Sequence, residues 1–72
     1  MFDYCELRGK VIARFKTQGV FAAKMGMSER SISLKLSGKR DWKQREIEKA
    51  CELLDIEKSD IPSYFFNAYV QN

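Results

Sequence analysis

The stretch TQGVFAAKMGMSERSISLKLSGKR, Thr17 to Arg40, constrains the chain most, because its punctuation admits only two short helices joined by a tight turn. The Thr17 hydroxyl suits a helix N-cap, where it accepts a backbone N–H left free in the first turn. Val20, Phe21, Ala22 and Met25 follow as an apolar stripe at helical spacing. Gly26 ends that helix, since so sharp a turn calls for a positive φ that glycine adopts without steric cost. Met27 plugs the turn. Ser28 caps the second helix, and Glu29 stands in its first turn, where the helix dipole favours a carboxylate. Ile32 and Leu36, four apart, face inward. Gly38 stops the helix.

A small residue in the first helix, glycine at the turn and a β-branched residue in the second let the two helices cross closely. This is the pattern of a helix-turn-helix, about residues 17–37, whose second helix enters a DNA major groove. An ordinary helical hairpin within a small bundle is the other reading of the same residues.

The charge distribution bears on that choice. Between Arg8 and Lys49 there are twelve Lys and Arg against four Asp and Glu, a balance of +8. The rest of the chain carries one Lys and six acids, a balance of −5. Cations gathered around the two-helix stretch favour a polyanion such as DNA phosphates, although a solvated surface explains many such runs equally well.

Seventy-two residues make one domain, spanning 1–72, near the lower limit for folding on a hydrophobic core alone. With 44% apolar residues, one Pro and four Gly, the expected class is a folded all-α domain. No apolar run reaches the length of about 20 residues that a membrane span needs. The start, MFDYCELRGK, does not read as a signal peptide, because acids interrupt it and no apolar segment follows. Cys5 and Cys51 form no CxxC pair and are expected as reduced core thiols of a cytoplasmic protein.

Taken in order, residues 4–15 predict a first helix with Asp3 as N-cap. Leu7, Val11 and Phe15 recur every four residues and Ile12 widens the stripe, while Arg8, Lys10 and Arg14 are wet. Beyond the basic loop of Lys39, Arg40 and Asp41, a helix runs from about 43 to 54. Two framings of its start fit, Asp41 with Gln44 or Lys43 with Glu46. Ile47, Ala50, Cys51 and Leu54 face inward, with Glu46, Glu48, Lys49 and Glu52 outside. Trp42 is taken as a core residue stapled to that helix rather than a base-stacking one. Ser59 or Asp60, with Pro62, starts a last short helix in an aromatic end of Tyr64, Phe65, Phe66, Tyr69 and Val70. One face of it closes the core, and the sequence leaves open whether the rest is exposed.

No catalytic residue is expected. Histidine is absent, neither cysteine has a partner at metal spacing, and no serine stands in a nucleophile elbow or beside an activating base. The glycines build no phosphate-cradling loop. Neither an enzyme nor a cofactor or metal site is expected.

With these residues in view, TQGVFAAKMGMSERSISLKLSGKRDWKQREIEKACELLDI resembles the Cro/lysogeny-repressor type of helix-turn-helix domain from temperate phages. From MFDY to SYFFNAYVQ, the whole chain is similar to small proteins of lactic-acid-bacteria phages that act in the lysis–lysogeny switch. Those proteins are Cro-like regulators or modulators of repression, and MSERSISLKLSGK carries the most specific part of the likeness. The chain is expected to form a five-helix domain of the Cro/lysogeny-repressor type, as a monomer or weak homodimer.

Two departures from the pattern stand out. The apolar slot three residues after Ile32 holds Lys35, with Leu36 taking over one position later, and this leaves Leu34 pointing outward or partly buried beside the preceding helix. Glu29 puts an acid where operator-binding relatives often carry neutral or basic residues. For operator DNA, Gln18 would contact a phosphate, while Arg30, Ser31, Ser33 and Lys35 face the groove and Lys39, Arg40 and Lys43 hold the flanking backbone. For the partner that the resemblance implies, the N-terminal DNA-binding domain of the cognate phage repressor, Ser28, Glu29, Arg30, Ser33, Leu34 and Lys35 form the contact. The alternative is a purely Cro-like DNA-binding repressor with no protein partner.

Overall fold

Five α-helices occupy residues 2–68, the part of the chain that the computed structural model describes. They are α1 (Cys5–Phe15), α2 (Gln18–Met25), α3 (Glu29–Leu36), α4 (Gln44–Leu54) and α5 (Ile61–Phe65), with a 3₁₀ turn at Lys58–Asp60 before the last. Among the described residues the only β-type pairing is one antiparallel bridge between Phe2 and Ala68. The expected all-α, five-helix architecture is therefore the one observed.

Helix boundaries follow local chemistry. Tyr4 occupies the cap position of α1, one residue after the expected cap, but the Asp3 carboxylate still accepts the Cys5 N–H at 2.9 Å. Thr17 caps α2, its hydroxyl accepting the Val20 N–H at 3.2 Å. Gly26 adopts φ 72°, and the Met27 N–H reaches back to the Ala22 carbonyl at 3.0 Å, the closing bond of a left-handed C-cap. Of the two framings for α4, the chain uses Lys43 with Glu46, whose carboxylate accepts the Lys43 N–H at 2.8 Å. Lysine has no acceptor, so only the glutamate half of a capping box can form.

The core lies where α1, α2, α3 and α4 meet, closed by α5. Leu7, Val11, Phe21, Ile32, Leu36, Leu54 and Phe65 are fully buried. Each such side chain contributes roughly 1.5–3 kcal/mol of transfer free energy, against a net stability of about 4–11 kcal/mol for a chain this size. Trp42 is half-buried and packs edge-on against Phe65 at 5.2 Å between centroids, so it belongs with the core as expected. Three apolar expectations fail. Ile12 is 47% exposed and Val20 45%, because each stands on the outer side of its helix. Cys5, in the first turn of α1, is exposed, whereas Cys51 is buried and its thiol pKa raised by that burial. In the aromatic end, Phe65 is buried, Tyr64 half-buried and Phe66 exposed, and Tyr69 and Val70 lie outside the described residues. No helix among the described residues is long and apolar enough to cross a membrane.

Candidate interaction surface

The α2–turn–α3 unit presents α3 outward, and helical periodicity sorts its residues. Ile32, Lys35 and Leu36 are buried and share the inner face. Arg30, Ser33, Leu34 and Ser37, spaced i, i+3, i+4 and i+7, share the opposite one. Arg30, Ser33 and Ser37 are exposed, and Leu34 is half-buried among them.

The flanks of that strip are held from either side. Glu29 leans toward α2, where its Oε2 lies 3.1 Å from the point a Cβ on Gly19 would occupy. A carboxylate against the start of α2 is favoured by the helix dipole, which gives the acid at position 29 a role inside the fold. On the other flank, Ser28 Oγ accepts the Ser31 N–H at 3.1 Å and donates to Ser31 Oγ at 2.9 Å. Arg40 Nη1 also donates to Ser31 Oγ, at 3.4 Å. The loop after α3 folds back onto the Leu34 carbonyl, which accepts the N–H groups of Lys39 at 2.9 Å and Arg40 at 3.2 Å. Lys39, Arg40 and Lys43 are thereby set beside α3 with their side chains exposed, and Gln18 lies half-buried at the start of α2.

Lys35 departs from its expected place facing the groove or partner. It is 3% exposed, and its Nζ donates to the Asp41 carbonyl at 2.7 Å and pairs with Glu46 Oε1 at 2.8 Å. The spacing explains this: three residues after Ile32, a side chain points inward whatever its polarity, and a buried ammonium must then find partners. Glu46, expected outside, is drawn in to supply one. Burial by itself raises the Glu46 pKa, but the hydrogen bonds from Lys35 and from the Lys43 N–H outweigh it and bring the carboxyl below its ordinary value. Of the expected surface residues, the structure brings Ser28, Glu29, Arg30, Ser31, Ser33, Leu34, Lys39 and Arg40 around α3, with Gln18 and Lys43 at its edges. Only Lys35 is withdrawn. Arg45 and Lys49, exposed on α4 beside Lys43, extend the basic surface and were not singled out by sequence. Their signal was the i, i+4 pairing of like charges on one helix face.

The sequence model of a family described as protein of unknown function (DUF739) matches residues 1–68. Among solved structures, the chain is similar to the solution structure of the modulator of repression of the temperate bacteriophage TP901-1 from Lactococcus lactis. The two are 50% identical over 97% of this chain and 95% of that one, with a TM-score of 0.80. No curated protein matches the chain. The resemblance read from the sequence is thus matched in three dimensions.

Proposed function

The chain belongs to the DUF739 family, and from that premise we propose that it modulates repression in the lysis–lysogeny switch of a temperate phage. The observation that carries this reading is the 50% identity, across nearly the whole chain, to a phage modulator of repression. In this reading the protein, a monomer or weak homodimer formed of one domain over 1–72, binds the N-terminal DNA-binding domain of the cognate repressor. It thereby keeps that repressor off its operators, acting in the cytoplasm of the bacterial host.

The outer strip of α3 suits such a contact. Leu34 offers a small apolar centre, and Arg30, Ser33 and Ser37 a polar surround, the general anatomy of a protein interface. Glu29 and Arg30 place opposite charges side by side, which favours register against a partner of mixed charge. A second reading, operator binding by a helix-turn-helix, is favoured by the exposed cations Arg30, Lys39, Arg40 and Lys43 around the same helix, with Arg30 reading guanine. The two modes are compatible.

Mixing the purified protein with the repressor's N-terminal domain in size-exclusion chromatography separates them. The expected result at micromolar concentration is a one-to-one complex that Leu34→Asp and Glu29→Lys both weaken while the fold holds, Glu29→Lys with a somewhat lower melting temperature because it reverses a charge that the helix dipoles favour. Separate elution overturns the protein-partner reading and leaves operator binding. A mobility shift on switch-region duplex that is no stronger than on random DNA overturns the latter. Ile32→Asp serves as the folding control, since an unpaired charge at a fully buried position should unfold the protein.

A further inference from the structure

A recess of about 300 Å³ opens where the turn between α2 and α3 meets the start of α4. Met25, 5% exposed, and half-buried Met27 give it an apolar lining, and Lys43, Arg45, Glu46 and Lys49 complete it. The lining's single acid is already engaged from inside, by Lys35 Nζ at 2.8 Å and the Lys43 N–H at 2.8 Å. The Lys35–Glu46 contact is the one ion pair among the described residues, so Arg45 and Lys49 have no contacting acid there, and Lys43 shares the field of Glu46 without pairing with it. Arg45 and Lys49 stand four apart on α4, an arrangement of like charges that disfavours a helix. All three cations are exposed, and none supports the core. A recess floored by two methionines and walled by three cations and one acid already committed to Lys35 is left with an excess of positive charge and no internal purpose.

We propose that this recess receives an apolar side chain from an acidic segment of the protein partner, an aliphatic or aromatic anchor flanked by Asp or Glu. Charge complementarity selects the acidic flanks. The methionines select the apolar anchor, because their unbranched, polarisable side chains adapt to whatever shape enters. A nucleic-acid backbone would satisfy the cations but offers nothing to Met25 and Met27. Met27 immediately precedes the Ser28 cap of α3, so the recess continues the α3 surface around the turn. The inference rests on the protein-partner reading above and states the chemistry of what that partner presents.

Titrating the ¹⁵N-labelled protein with the N-terminal domain of the repressor from the same phage, while following backbone amides, tests it. Shifts are expected at Met25, Met27 and Lys43 to Lys49 in addition to α3. An Arg45→Glu, Lys49→Glu double variant should weaken the complex by about tenfold or more, and Met27→Ala by several-fold, each with an unaltered fold in its own amide spectrum. A complex whose shifts stay within α3, and which both variants bind like the parent, overturns the recess while leaving the proposed function standing. Loss of affinity for switch-region duplex but not for the repressor domain assigns the cations to nucleic acid and likewise overturns it. If no amide moves, the proposed function fails and the recess inference fails with it.

Discussion

The Lys35 ammonium lies 2.8 Å from Glu46 Oε1 and 2.7 Å from the Asp41 carbonyl oxygen, so one α3 side chain ties down the loop after it and the start of α4. That loop carries Lys39 and Arg40, and Lys43 caps α4, so the buried pair sets the frame in which the exposed cations are presented. Its energetics are asymmetric. Removing one partner leaves the other charge desolvated, whereas replacing both with apolar side chains leaves no charge buried.

Glu46→Leu alone is expected to destabilise the protein by roughly 3 kcal/mol, because it strands an ammonium that is almost fully buried. Lys35→Met should cost less, since the Glu46 side chain is 18% exposed and can turn toward water. The double variant should recover most of the loss, as apolar replacements of buried pairs commonly do. Urea unfolding of the four proteins gives the cycle directly. A double variant as unstable as the sum of the singles would show that the pair is not a coupled unit.

Acid should act through the same pair. The Glu46 carboxyl titrates below its ordinary value of 4.5, so as pH falls the unfolded chain takes up this proton before the folded one. The stability it contributes is fully present above that ordinary value and is lost as the pH drops through the lowered one. Between about pH 5 and about pH 3, the urea midpoint of the parent should therefore fall more steeply than that of the Lys35→Met, Glu46→Leu protein. The other carboxyls titrate in both and cancel in the difference. Parallel pH profiles would remove Glu46 as the source.

How the sequence announced Thr17, Gly26 and Ser28, yet concealed Lys35, comes down to the range over which each acts. A cap exchanges a hydrogen bond within three or four residues, so residue type and position suffice to place it. Ile32 was legible as core because its spacing to Leu36 and its apolarity agree. At Lys35 they disagree: periodicity points it inward, polarity points it out, and the decision lies with Glu46, on another helix. Ile12 and Val20 show the converse, since apolar residues are common on surfaces and only burial of a polar one is informative. The basic recess lay beyond sequence reasoning altogether, because Met27 and Lys49 become neighbours only when α4 packs beside the turn.

Three glycines should respond in three directions to alanine. At Gly9, within α1, a Cβ would meet nothing within 4 Å, so Gly9→Ala should add about 0.5–1 kcal/mol and raise the melting temperature by about 2–8 °C. Gly26, at φ 72°, should lose about 1–2 kcal/mol, because an L side chain is strained there. At Gly19 the new Cβ would stand 3.1 Å from Glu29 Oε2, the tip of a flexible side chain. Stability should then change by less than about 0.5 kcal/mol, while Glu29 moves off the start of α2. Thermal melts of the three variants check the order, and a Gly9→Ala protein no more stable than the parent would contradict an open α1 face.

The withdrawal of Lys35 also changes what operator binding would look like. With its ammonium committed to Glu46 and Asp41, the cations left around α3 for phosphates are Arg30, Lys39, Arg40 and Lys43. If three or four of them each neutralise one phosphate, log K should fall with log salt at a slope of roughly −3. Lys39→Gln should reduce that slope by about one and weaken all sequences alike, because a backbone contact carries no base information. Arg30→Gln should instead narrow the gap between operator and random duplex, the mark of a lost guanine contact. Lys35→Met should leave the slope unchanged, acting only through stability. Fluorescence anisotropy on labelled duplex across a salt series measures all four proteins, and a slope that drops for Lys35→Met as much as for Lys39→Gln would put Lys35 back on the surface.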